Sequence, residues 1–398
     1  MINNALLILI NCIKYEIRGQ DGKIVLPEIS ARFLIELYSL SKAHDIAHLV
    51  GHALNECGAF ENLPAGMQHE ERATIARIKE EFHKQIVTAI YRYENINYEL
   101  GQLKETLKKG EIPFIPLKGA VLRHYYPEPW MRTSCDIDIL VKESDADTAA
   151  TRLQENLQYR MERKGQHDIP MFTASNVHIE LHFTLLDSDF KQVKDLIDVW
   201  SGEEISLLSD NEYQMSKELF LLYHIYHMAK HFIHGGCGIK PFMDLWIIKN
   251  KVVFDEEKAQ KTLQESGLLA FYERSIDLMG VWFEGKEHSE ITQAMESYIL
   301  QGGAYGTLEQ TLAMSQNKKG GKIGHLMSKI FLSYKAMTVY YPSLSKCPIL
   351  FPFYQVRRWC RILFCGGRKS AMNEIKLNQR ISEEKKKAAE NLITELNL

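Results

Sequence analysis

Asp136 and Asp138, separated by one residue, have a spacing that could do chemistry. They lie in Arg132-Thr-Ser-Cys-Asp-Ile-Asp-Ile-Leu-Val141, which reads as a strand. With a side-chain period of two, both carboxylates share one face, while Ile137 and Ile139 take the other. Like charges held that close on one strand cost stability. A divalent cation between them removes the cost, and Mg²⁺ takes carboxylate oxygens together with substrate phosphates. The plainer alternative is a strand end carrying two solvated acids. Two other segments bear on the choice. Lys118 and Gly119 follow a short apolar segment, Ile112-Pro-Phe-Ile-Pro-Leu117. Glu180 stands in a strand where His178, Glu180 and His182 alternate with Val177, Ile179, Leu181 and Phe183.

Helices surround these three strands. Residues 1–109 are expected to form a helical region, with Ser30 placed to cap one helix and Asp45 another. Ile75, Ile78, Phe82, Ile86, Ile90, Tyr93, Ile96, Leu100, Leu103 and Leu107 recur every three or four residues, an apolar stripe on one long helix. Lys108-Lys109-Gly110 suits its end, where cations face the negative pole and glycine stops the helix. Residues 110–205 are assigned to the sheet core. Prolines 113 and 116 place its first strand near a sheet edge. Ser144 with Asp147 fits a capping box for a helix through Leu157. Residues 206–317 read as a helical domain, with helical spacing at 217–232, 241–250, 255–266, 268–283 and 289–300. Residues 318–398 form a basic tail in which Arg357, Arg358 and Arg361 mix with aromatics between Leu350 and Phe364. A basic aromatic helix lies on an anionic membrane or on RNA, or docks on its own protein with snorkelling arginines, and the sequence leaves these open. The resulting fold class is α+β: a small mixed sheet core flanked by helical N-terminal and C-terminal regions.

A strand ending in Lys-Gly, a D-x-D on the next strand and a third acid on a later one resembles the nucleotidyltransferase superfamily, the polymerase-beta-like fold. Leu117-Lys118-Gly119, Tyr126-Pro127, Pro129 and Arg132 to Val141 resemble its bacterial branch of uncharacterised nucleotidyltransferases, with the likeness specific across residues 112–183. The resemblance implies an enzyme that moves a nucleoside monophosphate from an NTP to an acceptor hydroxyl and releases pyrophosphate. It implies that Asp136 and Asp138 hold Mg²⁺, and that Glu180 completes the metal site or takes the hydroxyl proton. Gly119 would let the backbone approach phosphate, Lys118 would act as a point charge on it, and Arg132 would clamp an oxygen bidentately. Ala120 departs from the wider superfamily, where the motif is Gly-Ser or Gly-Gly and the serine touches phosphate. His227, His231 and Asp244 resemble a His-x-x-x-His and a later Asp of the branch, and Lys240 stands where it more often has Arg. Lys240 and Asp244 then line the base or acceptor side of the cleft, or else make polar contacts between helices. His224, His227, His231 and His234 share one helix face, but no cysteine or acid completes an obvious tetrahedral zinc set.

Composition bounds these readings. At 398 residues the chain can hold two to three domains. A net charge of -3 argues against wholesale nucleic-acid binding and puts a small-molecule or protein acceptor ahead of RNA. Seven scattered cysteines, with neither zinc nor disulfide spacing, point to reduced thiols and a cytoplasmic location. The apolar run from Ala5 to Ile10 lacks signal-peptide flanks, and no stretch reaches transmembrane length. Two other functions stay in view. One is a nucleotide-binding or scaffold protein without catalysis. The other is a D-x-D glycosyltransferase, which needs more alternating strands and helices before the acidic pair.

Overall fold

The computed structural model describes residues 4–61, 63–64, 66–186, 199–307, 310–311, 327, 330–364 and 383–398. Its strands are β1 (Phe114–Pro116), β2 (Asp136–Val141), β3 (Arg160–Met161), β4 (Asp168–Phe172), β5 (His178–His182), β6 (Ile205–Ser209) and β7 (Glu212–Met215). They form one seven-stranded mixed sheet in the order β3-β4-β5-β2-β1-β7-β6, with β2 in the middle. The chain is α+β, as its sequence predicts.

The period-two reading of β2 explains how this sheet is buried. Ile137, Ile139 and Val141 point to one side, where they meet Phe114 of β1, Ile169 and Met171 of β4, and Ile179 and Leu181 of β5. That side is covered by α4 (His69–Lys109), through Ile96, Leu100, Leu103 and Leu107, and by α6 (Ala146–Leu157), through Ala149 and Leu153. Each fully buried aliphatic side chain there contributes about 1.5–3 kcal/mol of transfer free energy. The even positions of β2 and β5 are thereby committed to the opposite face. A one-residue slip would exchange the two sets, so the core fixes the register that presents the acids.

Helices α1 (Asn4–Ile17), α2 (Ala31–Ala43) and α3 (Ala47–Glu56) precede α4. Ser30 caps α2 as expected, its Oγ accepting from Phe33 N at 3.3 Å. Gly51 lets α3 lie against α4, since a Cβ there would stand 2.8 Å from Phe82 Cβ. Helix α5 (Gly119–Leu122) lies between β1 and β2, and after the sheet come α7 (Lys217–Ile233), α8 (Lys240–Lys251), α9 (Glu256–Glu265), α10 (Leu269–Glu284) and α11 (Glu290–Gly302). The tail holds α12 (Tyr334–Tyr340), α13 (Ser343–Lys346), α14 (Phe351–Phe364) and α15 (Glu383–Glu395). The chain divides into two compact units, one of residues Met1–Ala229 and Ile239–Thr292, the other of Lys230–Gly238 and Gln293–Leu398.

Several local expectations differ from the structure. β1 is central, pairing antiparallel with β2 and parallel with β7. It is only three residues long, so Pro113 falls before it and Pro116 closes it, and neither proline interrupts it. Asp45 does not cap α3, whose N-cap is Ile46 without a side-chain bond, because the Asp45 carboxylate is used elsewhere. No capping box forms at Ser144, whose hydroxyl turns to Asp145 at 3.2 Å. The β6–β7 hairpin replaces helix at the start of the segment expected to be helical, turning through Asn211 at φ 65°.

Candidate functional site

The site is built on the face of β2 and β5 opposite the aliphatic core. These strands are parallel, with Asp136 opposite His178, Asp138 opposite Glu180, and Leu140 opposite His182. Register-paired residues project to the same side, so Glu180 joins the aspartates. His182 Nε2 donates to Asp138 Oδ1 at 2.9 Å and lies 3.2 Å from Glu180 Oε2. Lys118 Nζ donates to the same Asp138 oxygen at 2.7 Å.

Lys118 reaches that oxygen from a strained turn. Its backbone sits at φ 43°, ψ -118°, a conformation that costs a residue with a Cβ about 1–3 kcal/mol. The surroundings enforce it: Leu117 N donates to Asp138 O at 3.0 Å, and Leu122 N donates to Lys118 O at 2.9 Å. Gly119, which follows, lies close to Ser134, whose Cβ would be 3.3 Å from a glycine-119 Cβ.

Charge at the site is unevenly shared. Burial alone would raise the Asp138 carboxyl, but the Lys118 ammonium and the His182 hydrogen bond outweigh it and hold the group well below the usual carboxylate range. Burial, followed by repulsion from Asp138, pushes Asp136 the other way. Burial disfavours charge on His182, yet its bonds to Asp138 and Glu180 raise it to about 9, so at neutral pH it carries a proton that it must give up to ligate a cation. One ligand atom each from Asp138, Glu180 and His182 falls within 4.8 Å of the other two. That span is about twice a metal–oxygen bond of roughly 2.0–2.6 Å, and two carboxylates with an imidazole are a donor set that fits a divalent cation. Asp136 is adjacent on the same face but is not part of this close set.

The other sequence-predicted residues form a second polar cluster. Arg132 Nε donates to Asp244 Oδ1 and Oδ2 at 2.7 and 2.9 Å, and Tyr126 OH donates to Oδ1 at 2.7 Å. Lys240 Nζ donates to Asp45 Oδ2 at 2.5 Å and to Thr133 Oγ1 at 3.0 Å. Arg123 is buried, with Nε on Gly119 O at 2.6 Å and Nη2 on Ser134 Oγ at 3.1 Å. The cluster thus grips Arg132 to Ser134, the loop that delivers β2. His224 Nε2 donates to Pro241 O at 3.0 Å. Among the described residues, the helix histidines belong to no close group of three metal-ligand types.

Sequence reasoning assigned His182 no role, although its place two residues after Glu180 put it on the acidic face. The sequence marks Asp45 only as a helix cap, Tyr126 only through its Tyr-Pro motif and Thr133 not at all, because their partners are far away in the chain.

A mixed sheet bearing a lysine turn, two converging carboxylates and an imidazole on one face defines an α+β protein with a cation-competent site. The chain belongs to a nucleotidyltransferase family: the family described as "Uncharacterised nucleotidyltransferase" matches residues 35–284. The match runs from within α2 to the end of α10 and includes the whole sheet. No curated protein and no solved structure matches the chain. Among the described residues, no helix is long and apolar enough to cross a membrane.

Proposed function

We propose that this chain transfers a nucleoside monophosphate from an NTP to an acceptor hydroxyl, with pyrophosphate leaving. The observation that carries the reading is the convergence of Asp138, Glu180 and His182 to within 4.8 Å beside Lys118, in a chain of this family. The acceptor oxygen forms a bond to the α-phosphorus. The bond from that phosphorus to its bridging oxygen breaks, and the electron pair leaves with pyrophosphate. Such transfer depends on positioning and charge neutralisation more than on covalent help from the protein.

A divalent cation held by Asp138 and Glu180, and by His182 once its proton is displaced, would neutralise phosphate charge, with Mg²⁺ favoured by the oxygens and Mn²⁺ also admitted by the imidazole. Asp138, kept ionised by Lys118 and His182, suits ligation. Asp136, raised by burial and by Asp138, is the group suited to take the hydroxyl proton, a role that falls to Glu180 only where it does not hold the cation. Lys118 and Gly119 serve the triphosphate, the first as a cation and the second by close backbone approach. Arg132, Lys240 and Asp244 act one step back, by fixing the loop that leads into β2.

The test is incubation with each NTP, Mg²⁺ or Mn²⁺ and a metabolite extract, followed by mass spectrometry and pyrophosphate release. Product formation that disappears in Asp136→Ala/Asp138→Ala supports the mechanism, and product surviving in that variant removes it. A second reading, nucleotide binding without turnover, is favoured by one observation: Asp138 Oδ1 already accepts from both Lys118 and His182. It predicts saturable NTP binding with no pyrophosphate from any acceptor pool.

A further inference from the structure

Residues 310–373 contain eleven lysines and arginines and no aspartate or glutamate, although the whole chain carries a net charge of -3. This segment lies beyond the family match, which ends at residue 284. The longest helix described in it is α14. One face of α14 docks on the same unit: Gln355 Nε2 donates to Leu332 O at 2.6 Å, and Trp359 Nε1 donates to Ile330 O at 2.7 Å. Trp359 also meets Phe331 edge-on at 5.3 Å between ring centres, and Tyr354 packs on Tyr341 at 4.7 Å. The opposite face is apolar and faces water. Ile349, two residues before the helix proper, is 84 % exposed, Phe353 65 % and Val356 50 %, and Cys360 continues the line. Arg357 and Arg361 are exposed along one side of this stripe.

We propose that this face of α14 binds an anionic phospholipid bilayer, with Ile349, Phe353 and Val356 entering the acyl boundary and Arg357 and Arg361 meeting lipid phosphates. A helix with exposed aliphatic and phenyl groups flanked by arginines lies in the membrane interface, held by burial of apolar area and by attraction to anionic lipid. RNA fits the surface less well. Phe353 is the one exposed ring of the stripe, Ile349 and Val356 offer no face for a base to stack on, and the rings of Tyr354 and Trp359 are turned toward the protein itself. A second copy fits less well again, since two acid-free basic segments repel each other.

The experiment is flotation of the full-length protein with phosphatidylcholine vesicles, with and without phosphatidylglycerol. Binding should require phosphatidylglycerol and should weaken as salt is raised. Arg357→Gln/Arg361→Gln should weaken partition about thirty-fold, at roughly tenfold per 1.4 kcal/mol and about 1 kcal/mol per basic residue. Phe353→Ser/Val356→Ser should weaken it by about tenfold or more, with an unchanged far-UV circular dichroism spectrum. The proposal is overturned if anionic vesicles leave the protein in the pellet, or if neutral vesicles bind it equally. It is also overturned if single-stranded RNA displaces the protein from anionic vesicles in a Phe353-dependent way, or if Phe353→Ser/Val356→Ser converts a dimer to a monomer in light scattering.

Discussion

Replacing Asp244 by alanine tests whether the polar cluster anchors the site. The Asp244 side chain is 1 % exposed and that of Arg132 13 %. Removing the carboxylate leaves the Arg132 guanidinium buried without its ion pair and deprives the Tyr126 hydroxyl of its acceptor. Breaking one side of a buried pair costs about 3–5 kcal/mol, and an orphaned hydroxyl about 1–3 kcal/mol, with the two overlapping. A net loss of about 4 kcal/mol corresponds to a melting shift of about 7 °C in a unit of this size. Calorimetry should show that shift in the larger unit, and melting temperatures are the right comparison because a chain of two units need not unfold in one step. The Arg132→Met/Asp244→Asn pair removes both charges yet leaves an amide oxygen for Tyr126, so most of the lost stability should return. A shift below about 2 °C for Asp244→Ala, or a double variant as unstable as the sum of the singles, would refute this reasoning.

Three shorter predictions follow from the same geometry. His182→Gln should weaken Mn²⁺ binding more than Mg²⁺ binding in calorimetric titration, because imidazole suits the softer ion, and equal losses would take His182 out of the ligand set. Lys118→Gly should melt higher than Lys118→Ala: both lose the ammonium, but only glycine relieves the backbone at φ 43°, by about 1 kcal/mol, and equal melting would mean the turn is unstrained. His48 is fully buried, and burial holds it at about 4 despite its bond to Met131 O, with Lys240 and Arg92 pushing it down and Asp45 pulling it up. The unfolded chain therefore takes up a proton that the folded one refuses, so stability is intact above about pH 6.5 and falls by up to about 3 kcal/mol as pH drops toward 4. His48→Gln should flatten that window in denaturant titrations at stepped pH, and an unchanged slope would locate the titration elsewhere.

What the sequence discloses depends on how far apart the partners lie. The two-residue period of Asp136, Asp138, Glu180 and His182 is local, and the aliphatic residues between them must be buried, so the face carrying the acids is readable. The stripe along α4 is readable for the same reason. The β6–β7 hairpin is not, since Leu207 and Leu208 are both solvent-exposed and adjacent, which breaks any alternation. The pairing of Arg132 with Asp244 spans 112 residues, and nothing in either neighbourhood announces the other. His182 lay on the readable face, but its approach to Asp138 depends on the spacing between two strands whose pairing the sequence does not state.

The Lys118-Gly119 turn carries the most information, because its chemistry runs against residue preference. Glycine is the residue that tolerates positive φ, yet the positive φ falls on Lys118, while Gly119 keeps an ordinary backbone and closes on Ser134. A flexible lysine could reach a neighbouring carboxylate from many relaxed positions. Here it is held in a strained one, largely buried, with its ammonium 2.7 Å from an acid that also receives an imidazolium. Burial, backbone strain and crowded charge each cost stability, and folding alone would be served better by an apolar residue at either position. Such a concentration of unfavourable terms persists where the surroundings over-determine it. In a chain of a nucleotidyltransferase family, a cation fixed beside converging carboxylates is the part that would meet a phosphate, which makes Lys118 the residue by which the proposed chemistry is most directly probed.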